Sequence, residues 1–129
     1  MIFGLVRVFK TDTSDPEAVV GRYLSHWQVD NSTGMYPLIS TRAKSEWARQ
    51  KTTNAFDYYS RYAGNHEDLI HWQIESRSIG QNTGRFTVSL GFRDLVGRET
   101  ERRSIFYLVR EEDGWRVDGL QQGSGYALP

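Results

Sequence analysis

At Leu69 the hydrophobic rhythm of this chain changes. Before it, apolar residues recur at helical spacing; from it onward they alternate with polar ones. A chain built as helices first and strands last must bury both sets of apolar side chains together. The economical solution lays the helices on one face of a sheet, an α+β arrangement. At 129 residues the chain suits a single domain with a core of its own.

The helical half begins at Asp15-Pro16-Glu17. Asp15 caps free backbone N–H groups, Pro16 fits the first helical position, and Glu17 suits the positive end of the dipole. Val19, Val20, Tyr23, Leu24 and Trp27 then form one apolar face, with Arg22, Ser25 and His26 largely opposite. The turn formers Asp30-Asn-Ser-Thr-Gly34 end this helix. Met35-Tyr-Pro-Leu-Ile39 predicts a short helical piece, and Ser40 or Thr41 caps the next helix. Ala43, Trp47, Ala55, Tyr58 and Tyr62 lie along its stripe, with Phe56 and Tyr59 beside it. The weak helix formers Thr52-Thr53-Asn54 predict a break within it, and Gly64-Asn65 a stop.

In the second half Ile70, Trp72 and Ile74 alternate with His71, Gln73, Glu75 and Arg77. After a turn at Gly80–Gly84, Phe86, Val88, Leu90 and Phe92 alternate with Thr87, Ser89, Gly91 and Arg93. Val96-Gly97 turns the chain into a third strand over Thr100–Arg110. Asp113-Gly114 is a hairpin signal leading to a fourth strand, Trp115–Leu120. The alternation predicts one apolar sheet face that receives the helices. The opposite face carries His71, Gln73, Glu75, Arg77, Thr87, Ser89 and Arg93, and is either solvated or a surface for self-association. The expected division is an arm or short strand over 1–14, one domain over 15–120, and a loose tail over 121–129.

Composition removes several function classes. Cysteine is absent, so disulfides, thiolate metal sites and cysteine nucleophiles are excluded. The formal net charge is zero, which argues against a nucleic-acid binder working through a strong positive field. No apolar run approaches the roughly 20 residues of a membrane span. Met1–Val8 is apolar but interrupted by Arg7 and too short for a secretory leader. As written, the chain carries no address and is expected in the cytoplasm; an extension before Met1 would instead imply a tethered extracytoplasmic domain.

The run Asp15-Pro-Glu-Ala-Val-Val-Gly-Arg-Tyr-Leu-Ser-His-Trp27, then Met35-Tyr-Pro-Leu-Ile-Ser40, then a strand meander ending in Glu-Asp-Gly-Trp115-Arg-Val, resembles the nuclear transport factor 2-like superfamily. The resemblance spans roughly residues 15–120 and is one of order and texture. It looks closest to small bacterial accessory domains, which are usually non-catalytic. It implies helices packed on a curved, mostly antiparallel sheet that closes into a cone. The superfamily also contains ketosteroid isomerase and hydrolases, so the fold does not choose a function.

In ketosteroid isomerase a tyrosine of the first helix donates to an oxyanion while an aspartate moves a proton. Tyr23 matches that tyrosine, yet Tyr36-Pro-Leu-Ile-Ser-Thr-Arg supplies no carboxylate where the base belongs. Asp94 and Asp118 lie near strand ends and read as rim residues. His26, His66 and His71 lack metal-ligand spacing, and His66-Glu67-Asp68 reads as a loop, so no metal is expected. Arg98-Glu-Thr-Glu-Arg-Arg103 reads as cross-strand ion pairs on a hairpin. No Gly-rich phosphate loop or nucleophile elbow is present, and no cofactor is expected.

What remains is the cone. Tyr23, Trp27, Trp47, Tyr59, Trp72, Phe86 and Phe106 are expected to meet between helices and sheet. They either interlock as core or line an apolar ligand pocket. The leading expectation is a non-catalytic module that forms a homodimer through its outer sheet face and holds a small apolar ligand in the cone. The alternative is a small isomerase, dehydratase or hydrolase acting on an apolar molecule there.

Overall fold

A computed structural model describes residues 12–58, 67–123 and 125–129. Helix α1 spans Pro16–Gln28, and the Asp15 carboxylate accepts from the Glu17 N–H at 3.0 Å, as the capping signal predicts. A short helix α2, Ser32–Met35, and a 3-10 turn over Tyr36–Leu38 follow. Helix α3 covers Thr41–Arg49 with Ser40 as its cap, and a further helical stretch begins at residue 55 beyond the expected break. Tyr59, Tyr62 and the expected stop at Gly64-Asn65 lie outside the described residues, as does the arm up to residue 11.

The strands are β1 Asp68–Ile79, β2 Thr83–Arg93, β3 Glu99–Glu111, β4 Gly114–Gln122 and β5 Gly125–Ala127. They form one antiparallel sheet in chain order, so every strand pairs only with its neighbours in sequence. Phe86, Val88, Leu90, Phe106, Leu108 and Val117 point to the helical side, where Val19, Val20, Tyr23 and Leu24 of α1 meet them. All are essentially inaccessible to solvent, and each such burial is worth about 1.5–3 kcal/mol. The expected α+β architecture is the observed one.

Two expectations are corrected. Arg77 does not lie on the outer face. A register shift between Ile74 and Ser76 inserts one extra residue into β1, and Arg77 consequently stands opposite the inward-facing Phe86. It forms an ion pair with Glu17 of α1. Nor are the described residues of the tail, 121–123 and 125–129, loose. Strand β4 runs on to Gln122, β5 pairs back on it, Leu128 packs against the core, and the Pro129 carbonyl accepts from Trp47 Nε1 at 3.0 Å. Gly123, at φ 60°, turns the chain after β4.

β5 depends on Gly119. A Cβ there would stand inside the Tyr126 hydroxyl. Gly119→Ala is expected to lower stability by about 1–3 kcal/mol, measured by chemical denaturation, because it overpacks this contact; Tyr126→Phe in the same background should return part of the loss.

His26 closes the end of α1 and adjoins Gly34, with its Nδ1 3.2 Å from Asn31 Nδ2. Burial first, and Arg22 second, hold its pKa below the ordinary 6.5. The unfolded chain therefore binds this proton more readily. The associated stability is present above about pH 6.5 and is lost as pH falls through the depressed value. Thermal melts between about pH 7 and 5 should lose part of their slope in His26→Gln.

Candidate functional site

The helical layer fixes the cone wall. Tyr23 comes from the buried face of α1, and its hydroxyl meets that of Tyr58 at 2.8 Å. Tyr23 lies edge-on to Trp27 at 6.2 Å and to Phe106 at 6.0 Å, while Trp27 tilts on Phe92 at 5.9 Å. Trp47 packs edge-on against Tyr58 at 5.5 Å, and Tyr36 reaches the same ring at 5.5 Å. Such edge contacts each add about 0.5–1.5 kcal/mol beyond simple burial.

Six of the seven aromatic residues singled out in the sequence fall in the described part, and Tyr59 does not. Tyr23, Phe86 and Phe106 are fully buried, and Trp47 nearly so. Trp27 and Trp72 pack on the rim of this cluster. Trp72 donates from Nε1 to Gln28 Oε1 at 3.1 Å, and Gln28 Nε2 donates to the Ile70 carbonyl at 2.9 Å. That exchange ties the end of α1 to β1 beside the first register shift of the strand.

A second assembly joins the helices to β4. The Ser40 N–H donates to the Val117 carbonyl at 2.8 Å, and Ile39 bridges Val117 in parallel. Ser40 Oγ accepts from Ala43 N–H at 3.0 Å and donates to Asp118 Oδ1 at 2.6 Å. Arg42 Nε donates to the same carboxylate oxygen at 2.9 Å, and its Nη2 donates to the Asp118 carbonyl and to Tyr126 Oη. Asp118 thereby holds the Arg42 guanidinium above its ordinary pKa. Burial raises the Tyr126 phenol, opposed by Arg42, so its hydroxyl stays protonated. Asp118, read from sequence as a rim residue, is an anchored one. Asp94 stays in its hairpin turn, accepting from Val96 and Arg98 N–H groups.

The outer face of the sheet carries paired charges towards the β2–β3 turn. Arg103 donates to Glu75 at 2.7 Å, His71 Nε2 lies 2.9 Å from Glu101, and Arg93 lies 3.2 Å from Glu99. The cross-strand pairing read from Arg98–Arg103 is thus present, with Arg102 turned to Glu67 on the helical side. Towards the β1–β2 turn the same face has a groove of about 590 Å³, bordered by Ser78, Arg85, Tyr107, Val109, Asp118 and Tyr126. The sequence reading passed over Arg42, Arg85, Tyr107 and Tyr126. For Arg85 a signal existed, since it is the only charged residue between Arg77 and Arg93.

No helix among the described residues is long and apolar enough to cross a membrane. No family model and no curated protein matches the chain. Solved structures do. A SEC-C motif containing protein from Rhodopseudomonas palustris aligns with 91% of this chain and 84% of its own, at 14% identity and a TM-score of 0.68. A protein described as a calcium/calmodulin-dependent protein kinase type II association domain, from Thiobacillus denitrificans, aligns over 88% and 97% at 13% identity and 0.64. A protein described as an NTF2-like transpeptidase, from Campylobacter jejuni, aligns over 81% and 97% at 14% identity and 0.51. Identities this low carry the fold alone. That fold is the NTF2-like one which the sequence resemblance implied.

Tyr23→Phe removes one buried hydroxyl without changing the packed ring. It is expected to cost about 1 kcal/mol in denaturant unfolding, the usual worth of such a hydrogen bond, and Trp47→Ala about 3–5 kcal/mol.

Proposed function

We propose that this chain is a non-catalytic module that self-associates through the outer face of its sheet. The observation that carries this reading is a sheet face left uncovered by the described helices, with ion pairs across its strands towards the β2–β3 turn. Glu75 with Arg103 and Arg93 with Glu99 cancel their charges across the strands, which lowers the repulsion a second copy would meet there. Between them, Thr87, Ser89 and Ile105 form a small, half-buried, neutral centre. A two-fold contact needs such a self-complementary patch. The likeness to a structure named as an association domain supports the same reading.

A second reading keeps the cone as a site for a small apolar molecule, on which the alternative of a small enzyme depends. The joined Tyr23 and Tyr58 hydroxyls favour it, as polar tips within an aromatic wall. Proton-transfer chemistry there would call for a carboxylate beside them. Among the described residues the buried polar side chains are Ser40, Thr52 and Ser104, none of them acidic. The non-catalytic module is therefore the favoured reading.

Sedimentation equilibrium between about 1 and 100 µM tests the self-association. A dimer is expected, with Ile105→Arg and Arg93→Glu each weakening it by about tenfold or more. Leu95→Ser, at the exposed tip of the β2–β3 turn, should leave it unchanged. A wild-type chain that stays monomeric throughout this range would end the proposal.

A further inference from the structure

Most arginines of the sheet and its turns are paired: Arg77, Arg93, Arg98, Arg102, Arg103 and Arg116 each have a carboxylate within ion-pair distance. Arg85 and Arg110 are exposed and have no such partner among the described residues. Arg110 still shares a hollow with Asp12, Glu111, Glu112 and Asp113, whereas the surroundings of Arg85 are neutral. On the outer face Arg85 stands opposite Ser78 on β1 and Tyr107 on β3, with Thr83 and Thr87 two residues away along its own strand. All four neighbours are neutral. A guanidinium so placed keeps its five donors for water or for a ligand.

The same guanidinium borders the 590 Å³ groove, a volume typical of small-molecule sites. The other walls are mostly apolar. Tyr107 and Tyr126 stand with ring centroids 6.1 Å apart, and Val109 lies next to Tyr107 on the same face. Both phenol hydroxyls are already committed, Tyr107 to Gln121 and Tyr126 to the Asp118 carbonyl. These residues therefore offer the groove ring surface rather than free donors. Asp118 at the far side is neutralised by Arg42, so the one uncompensated charge in the groove is positive.

We propose that this groove binds a small organic monocarboxylic acid, its carboxylate on the Arg85 fork and its planar or apolar body against Tyr107, Tyr126 and Val109. The planar guanidinium matches a carboxylate in bidentate fashion. A single unpaired cation with an aspartate opposite suits one negative charge and disfavours a phosphate dianion. The hydroxyls of Ser78 and Thr83 flank the fork and can donate to the same carboxylate. The groove borders the Thr87–Ser89–Ile105 patch without including it, so this inference does not depend on self-association.

Titration of the full chain with 3-phenylpropionate, followed by amide chemical shifts, tests the proposal. Saturable shifts are expected around residues 78–85, 107–109 and 118–126, with a Kd of about 1 mM or tighter. The neutral 3-phenylpropionamide should bind at least about tenfold more weakly, and inorganic phosphate should give no saturable shift there. Arg85→Met should abolish binding and Arg85→Lys weaken it, both with unchanged melting temperatures, since the side chain is exposed and unpaired. Absence of saturable shifts, equal binding of the amide, tight binding of phosphate, undiminished binding by Arg85→Met, or shifts confined to the cone would each overturn it. Sedimentation of the same samples reads the oligomeric state separately, so failure of the dimer and failure of the acid site are distinguishable.

Discussion

The helical layer is held in register with the sheet by Ser40. Its backbone N–H donates to Val117, its hydroxyl caps α3, and that hydroxyl donates in turn to Asp118. A second carboxylate reinforces the junction, since Glu111 of β3 accepts from the N–H and the hydroxyl of Thr41. The start of α3 is thereby satisfied from two strands. Apolar burial is strong but indifferent to small sliding movements. Directional hydrogen bonds at one helix end supply what burial lacks, a fixed register between the two layers. The position of Tyr23 and Trp47 over the sheet, and of Arg42 over Tyr126, both follow from this junction.

Much of the architecture was legible because it rests on local chemistry. Asp15 with Pro16, Ser40 as a cap, and the alternation from Phe86 to Phe92 carry their meaning within a few residues. The errors arose where the outcome depends on distant partners. Nothing in Gln-Ile-Glu-Ser-Arg77 announces an extra residue in β1, and a single insertion reverses the facing of everything beyond it. β5 is not legible in the sequence because its three residues, in a Gly-containing stretch, carry no periodicity. Its strand character comes from the edge of β4 and from contacts of Tyr126 and Pro129 with Arg42 and Trp47, more than 80 residues earlier in the chain.

The candidate sites divide in the same way. The aromatic cone was readable as a set of residues, because helical and strand spacing place Tyr23, Trp27, Phe86 and Phe106 on facing surfaces. The groove was not, because it is defined by neighbours across strands. Arg85 differs from Arg103 only in what stands beside it, and register decides that. A tyrosine from β3, another from the short C-terminal strand and an arginine from β2 become one surface only after the meander is folded.

The meander also divides the contacts of the fold into local and distant ones. With the strands in chain order, the pairings of the sheet form between adjacent hairpins, each closed by a short turn. The link from Ile39 and Ser40 to Val117 spans nearly 80 residues, and with it the chain joins its two halves. Each hairpin closes a short loop, whereas docking of the helical layer bears a long loop-closure cost. The groove beside Arg85 draws on both kinds of contact. Its β2 and β3 walls rest on local pairing, while Asp118 and Tyr126 are held by Arg42 from the helical layer.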